Sequence, residues 1–363
     1  MMPRTRCAVV RRAGSGFDVV GGELDEPLGD DVLVRIEAVG MCHADLAARD
    51  GDFPVPLPSV LGHEGAGTVV GLGPQVRGVR VGDRGVIAFD SCGRCGRCAA
   101  GVPSQCARFL ELNFTGSRRR LQVDDVPVGN GFFGQSSFSE LALANVRNVV
   151  PVRTDLPWSW LAPLGCGVAT GFGAALEVLR PSPGDAVTVF GLGAVGLSAL
   201  LALRGCGAGP LIAVDLRANR LALAARLGAD HTVDASTMDV VDAVRTLSHG
   251  GAAGALECSG STTALAQAIA CTAVGGTTVV VGAPPFGRTA TLDVADLVNA
   301  SKRVIGSATG RCLPRQRIPL MVRLAEAGRL PVGELVTEFP FDRIDEAAAA
   351  MAAGEVVKPV LLL

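Results

Sequence analysis

The stretch Gly40-Met41-Cys42-His43-Ala44-Asp45-Leu46 sets a thiol, an imidazole and a carboxylate within four residues, with one bare methyl among them. These are the side chains that ligate borderline-soft metal ions. About twenty residues on, Leu61-Gly62-His63-Glu64-Gly65-Ala66-Gly67 adds a second imidazole and carboxylate, and about a hundred further on Leu164-Gly165-Cys166-Gly167 adds a thiol. Cys42, His63 and Cys166 would together supply thiolate, imidazole and thiolate with one position open, the arrangement of a catalytic zinc. Spacing alone does not assemble ligands so far apart. Taken singly, each reads equally well as a buried thiol or a satisfied core histidine.

A second cluster is local. Cys92, Cys95, Cys98 and Cys106 follow a C-x2-C-x2-C-x7-C pattern. Four thiolates on one short loop close a tetrahedral zinc site that leaves no position for substrate, hence a structural one. Arg94 and Arg97 would offset the thiolate charge. An iron–sulfur cluster is the competing occupant at this spacing. The chain has 11 cysteines, an odd number that fits metal ligation in a reducing compartment better than a disulfide framework.

A third pattern binds phosphate. Val187-Thr188-Val189-Phe190 reads as a buried strand, and Gly191-Leu192-Gly193-Ala194-Val195-Gly196 follows it as G-x-G-x-x-G before a helical run. Gly191 serves the tight turn, Gly193 the approach of a pyrophosphate, and Gly196 close helix–strand packing. The helix N-terminus then presents free N–H groups and partial positive charge. Asp215 ends the next strand, 19 residues after Gly196. A carboxylate there accepts from the ribose hydroxyls and repels a 2′-phosphate, which favours NAD over NADP. Arg220 is expected near the adenosine, and Arg217 pulls the other way, because a guanidinium can meet a 2′-phosphate.

The elements that must position these groups fall in two styles. With 363 residues the chain is long enough for two domains. Hydrophobic residues make up 48% and charged ones 19%, a mix that suits a buried parallel sheet. The net charge of −2 gives no reason to expect nucleic acid or an anionic membrane surface. Strands are expected over 7–10, 32–38, 65–71 and 85–89. From about Pro183 strands and helices alternate: strands at 186–190, 211–215, 253–259 and 277–281, helices at 194–204, 219–227 and 262–272. That alternation predicts a doubly wound α/β sheet. A closing strand is expected from Lys358. The uncharged run Ala186–Leu203 has three glycines in its middle, so strand, turn and helix fit it better than a membrane span. The N-terminal MMPRTRCAVVRRAG lacks the apolar core of a signal peptide, so a cytoplasmic location is expected.

In this order, GMCHAD, GHEGAG, the four-cysteine loop, GCGVATGFGA, VFGLGAVG with Asp215, VGAPP and the terminal KPV resemble the zinc-containing alcohol dehydrogenases of the medium-chain dehydrogenase/reductase superfamily. The resemblance covers essentially the whole chain. GDFPVPLPSVLGHEGAG and Gln135-Ser136-Ser137-Phe138 look closest to the aryl (benzyl) and allylic branch. It implies a GroES-like β-rich catalytic domain over 1–167 and 305–363 with a Rossmann domain inserted at 168–304. It implies two zinc ions per chain, NAD, a small-molecule alcohol substrate and a homodimer or homotetramer. Cys42, His63 and Cys166 would hold the catalytic zinc, Glu64 would approach it during ligand exchange, and Asp45 would orient His63. His43 would face the pyrophosphate, Thr170 and Val195 would flank the nicotinamide, and Lys358 would present a cation to the phosphates. Phe53, Ala88, Leu110, Phe114, Phe132 and Phe133 are candidate walls of the substrate pocket. One departure stands out. The family usually has Ser or Thr where Ala44 sits, and often a histidine where Ala47 sits; these start and finish a proton relay. An iminium or conjugate reductase, which needs no such relay, is therefore the competing activity, and a zinc-stabilised regulator without catalysis the competing class.

Overall fold

The computed structural model describes residues 2–116, 118–285 and 287–363. The chain divides into two compact units, Met1–Cys166 with Leu313–Leu363, and Gly167–Cys312.

The first unit is built on two sheets. In the larger, seven-stranded one, Asp31–Gly40 lies at the centre. One of its flanks carries Glu64–Leu72, with Gly40 opposite Glu64. The other flank is shared: Leu141–Asn145 takes residues 31–35, and the C-terminal strand Lys358–Leu362 takes residues 38–40. This sharing brings the end of the chain beside the residues that lead into Cys42. Val34, Ile36, Val39, Leu61, Phe138 and Leu361 bury their side chains in the common core, and the central strand is buried in runs, Val32–Val34 and Ala38–Gly40, as a strand covered on both faces is. The smaller sheet orders Ser59–Val60, Arg4–Val10, Asp18–Leu24, Leu121–Val123 and Val126–Val128. Sequence patterning finds Arg4–Val10, Asp31–Gly40, Glu64–Leu72, Arg84–Ile87 and the last strand, but misses Asp18–Leu24, Leu141–Asn145, Val149–Val152 and Val336–Pro340 as well as the strands of two or three residues, which carry no periodicity of their own.

The second unit holds six parallel strands in the order His231–Asp234, Leu211–Asp215, Val187–Phe190, Ala252–Glu257, Thr272–Val280, Arg303–Gly306. This is the doubly wound sheet that the alternation predicts. Phe190, Ile212, Val214 and Ala255 form its core. Two boundaries differ from expectation. The helix from Thr262 stops at Ala270 and the next strand starts at Thr272, well before 277. Gly275, at φ +74°, takes up the shift in register against Ala252–Gly254. The return to the first unit comes at Leu313 rather than 305, because Arg303–Gly306 pairs as the sixth strand and Gly310 packs on Gly173. Among the described residues no single helix is long and apolar enough to cross a membrane, and Ala186–Leu203 divides into a strand and the helix Ala194–Gly205.

Candidate active site

Three segments of the first unit converge on one donor set. Cys42 immediately precedes the helix His43–Asp50. His63 and Glu64 stand at the start of Glu64–Leu72, and Cys166 follows the short helix Ala162–Gly165. The ligand atoms of Cys42, His63, Glu64 and Cys166 all lie within 4.8 Å of one another. Gly62 makes the turn into this segment at φ +84°, where a Cβ would run into Phe138; only glycine fits there.

Asp45 organises the set. It is fully buried, and its Oδ1 lies 2.9 Å from His63 Nδ1 and accepts from Gly62 N at 3.1 Å. Its Oδ2 accepts from Cys42 N at 2.8 Å. One carboxylate therefore ties the Cys42 loop to the His63 turn. It also holds the proton on Nδ1, leaving the Nε2 lone pair aimed at the donor set. His63 Nε2 is buried and has no hydrogen-bond partner among the described residues. An orphaned imidazole nitrogen facing two sulfurs and a carboxylate is what a borderline-soft metal ion satisfies, so these residues fit zinc.

The charges are finely balanced. Cys42 is held well below the ordinary thiol value by the hydrogen bond from Cys166, against the opposing cost of burial and with help from the Lys358 ammonium. Burial raises Glu64 to about 7, even though Lys358 pulls it down. Burial works against a charged His63, yet Asp45 and Cys42 lift it to about 10, so the Nε2 lone pair would be offered to a metal ion in exchange for a proton.

Lys358 requires a correction. The resemblance places it toward the coenzyme phosphates. In the structure its side chain is 2% exposed and its Nζ donates to Glu64 Oε1 and to the Met41 carbonyl, both at 2.8 Å. The pairing of Lys358–Leu362 with Gly40 turns this side chain into the core behind the donor set. His43 is exposed at the first turn of its helix. Ala44 is half-buried and packs on the core, and Ala47 is buried.

A row of phenyl rings leads away from His63. Phe133 stacks on the imidazole at 4.2 Å and 17°, and Phe132 meets it edge-on at 5.4 Å. Phe114 contacts Phe133 at 4.9 Å and Phe53 at 5.2 Å. Phe53 and Phe114 are half-buried, Ala88 is fully buried, and Leu110 is 56% exposed. Phe133 holds φ +48°, an unusual backbone for a bulky residue, and the kind of strain that clusters at functional sites. Nothing in the sequence marks the stack.

The four cysteines of the loop also converge, with sulfurs within 4.8 Å of one another. Backbone amides point at them: Cys95 N to Cys92 Sγ and Cys92 N to Cys106 Sγ, each at 3.3 Å. Amides of Ala107 and Cys98 bring Cys95 down to about 6. Donors aimed at sulfur favour thiolates, as a closed structural zinc requires.

In the second unit, Gly191 takes φ +82° at the end of its strand, and a Cβ there would run into Ser259. At Gly193 a Cβ would meet nothing within 4 Å, so the loop is open where a phosphate would approach. Asp215 Oδ2 accepts from Leu192 N at 2.7 Å and Oδ1 from Arg217 N at 3.0 Å. The carboxylate thus clips the glycine loop to the neighbouring strand end. A cleft of about 360 Å³ is lined by Gly191, Asp215, Leu216, Ser259, Thr263 and Gln267 among others. Arg220 is only 7% exposed, and burial lowers its pKa against the pull of Asp215. Thr170 is buried, and Gly171 beside it packs on the Val195 carbonyl.

The comparisons with known proteins agree with this geometry. The family model for the alcohol dehydrogenase GroES-like domain matches residues 29–154, and that for the zinc-binding dehydrogenase matches 194–327. The chain is 44% identical to a geraniol dehydrogenase of Castellaniella defragrans, over 98% of this chain and 97% of that one. It superposes on an alcohol dehydrogenase zinc-binding domain protein from Burkholderia ambifaria with a TM-score of 0.98 at 42% identity, all of both chains being covered. Benzyl alcohol dehydrogenase from Acinetobacter calcoaceticus gives 0.97 at 41%, again over both full chains. With two sites that fit zinc, a glycine loop closed by an aspartate and relatives matched end to end, the chain belongs to the zinc-containing alcohol dehydrogenases of the medium-chain dehydrogenase/reductase superfamily.

Proposed function

We propose that this enzyme oxidises aryl or allylic primary alcohols with NAD and reduces the matching aldehydes. The row of rings that starts with Phe133 on His63 and continues through Phe114 to Phe53 carries the reading. Flat, unsaturated carbon next to a reacting CH–OH gains from ring edges and faces in a way that a saturated chain does not. The relatives named for geraniol and benzyl alcohol support the same substrate class.

Zinc, when bound, supplies Lewis-acid polarisation of the alcohol or carbonyl oxygen. Cys42, His63 and Cys166 are the residues that would hold it. Asp45 keeps His63 in the tautomer that offers Nε2. Ala44 offers no hydroxyl for proton transfer, so the proton leaves through water or through the exposed His43. NAD is the expected coenzyme, because the Asp215 charge sits at the strand end where a 2′-phosphate would lie. A homodimer or homotetramer is expected through the sheet edge at Arg303–Gly306, where Val304 and, in the preceding helix, Val294 and Val298 are exposed. A cytoplasmic location goes with this reading.

The test is a kcat/KM panel of benzylic, allylic and saturated primary alcohols with NAD. Unsaturated substrates should lead by about 2–12-fold, the worth of one aromatic pair at 0.5–1.5 kcal/mol. Equal rates with saturated alcohols would overturn the substrate class. Turnover confined to iminium or conjugate reduction would overturn the direction of the chemistry.

A further inference from the structure

We infer that Gln135 is a positioning residue for the zinc ligands: its side-chain amide replaces a missing strand along His63–Gly65 and thereby fixes where His63 and Glu64 point. This rests on reading the Cys42 site as a zinc site.

The strand Glu64–Leu72 is paired along one side up to its first residue, where Glu64 lies opposite Gly40. On the other side its pairing with Arg84–Ile87 begins only at Ala66. Among the described residues, His63, Glu64 and Gly65 therefore have no strand beside them on that flank, although they carry two of the donor side chains. The segment 135–138 covers the gap. Its backbone pairs first, Phe138 N to Leu61 O at 3.0 Å and Ser137 N to Gly62 O at 2.9 Å. It then turns away, with Ser136 at φ +49° and Gly134 at φ +67°. From that point the Gln135 amide continues the ladder. Nε2 donates to His63 O at 2.9 Å, and Oε1 accepts from Gly65 N at 3.1 Å. These are the two bonds that a neighbouring strand would make around Glu64.

The orientation of the amide follows from its surroundings. The carbonyls of Ile87 and Ala88 lie 3.5 and 3.4 Å from Nε2, and the Ser137 hydroxyl donates to Oε1 at 3.0 Å. Every neighbour on the nitrogen side is an acceptor, and both on the oxygen side are donors. Gln135 is 1% exposed. Ile87 also joins the third ligand segment, because Gly165, next to Cys166, packs directly on its carbonyl. One amide thus bonds the main chain on both sides of Glu64 and touches the strand against which the Cys166 turn rests. Asp45 and Lys358 hold side-chain atoms of the set; Gln135 holds the backbone between them.

The experiment follows zinc leaving the fully loaded enzyme into a chromogenic chelator, for the unmodified protein and for Gln135→Leu. The four-cysteine zinc serves as the internal reference. Catalytic-site zinc should leave about 10–100-fold faster from the variant, the usual loss when an outer partner of a metal ligand is removed. The visible spectrum of enzyme carrying cobalt(II) at this site should shift. Where Gln135→Leu fails to fold, Gln135→Asn keeps the amide on a stem one methylene shorter and should show the same changes. Unchanged release and an unchanged cobalt spectrum in a folded variant, even with a lowered Tm, would overturn the inference and leave Gln135 a core residue. A single zinc in the unmodified enzyme, held only by the cysteine loop, would instead overturn the reading of the Cys42 site itself.

Discussion

Replacing Lys358 by methionine should destabilise the enzyme and leave coenzyme affinity almost untouched. The substitution keeps the length of the stem and removes the ammonium from a pair whose side chains are 2% and 0% exposed. Glu64 would then face burial without its cation, and the Met41 carbonyl would lose a donor. Breaking a buried pair by removing one partner costs about 3–5 kcal/mol, mostly because the remaining charge is stranded. At about 2.1 cal/mol/K per residue, the 363 residues give an unfolding entropy that turns this cost into a Tm fall of about 4–7 °C. The companion Glu64→Gln strands the ammonium instead. In the double variant neither charge is stranded, so its loss should fall short of the sum of the single losses by about 0.5–3 kcal/mol. Thermal unfolding of the metal-loaded proteins measures all three, and a fluorescence titration with NAD gives the second readout. A cation that served the coenzyme phosphates would behave oppositely. If Lys358→Met weakens NAD binding tenfold or more while Tm stays within a degree, the placement of Lys358 behind the donor set is wrong.

Two further outcomes are expected. Ala44→Thr supplies a hydroxyl at the first turn of the helix His43–Asp50 and should raise alcohol oxidation near neutral pH by about tenfold, with the gain shrinking as pH rises; a pH–rate profile unchanged at every pH would show that water or His43 already moves the proton. Asp215→Gly should cut the preference for NAD over NADP by about 10–100-fold, the worth of a charge-assisted hydrogen bond. Because Asp215 also holds Leu192 N, affinity for both coenzymes should fall, and a variant that keeps the full NAD preference would remove Asp215 from the ribose.

What the sequence determined by itself lies within single loops. Cys92 to Cys106 spans one turn-rich segment, and Gly191 to Gly196 one strand–helix junction. There the spacing alone sets which backbone and side-chain groups can meet one ion or one phosphate. The types of the distant ligands Cys42, His63 and Cys166 were legible too, but only the ordered set of motifs pointed to their partnership. Tertiary structure decided the rest. Lys358 and Glu64 are 294 residues apart, and no local rule says that the ammonium turns inward. It does so because the last strand pairs against Gly40 and faces the core. Gln135 read only as part of a branch-specific string, since a side chain that completes a sheet leaves no period in the sequence. Phe133 reads as one more pocket-wall candidate until its left-handed backbone lays the ring on His63. Ligand identity follows from side-chain chemistry, which composition and spacing record. Ligand orientation follows from which way each strand faces once it is packed, and that is fixed only when distant strands pair.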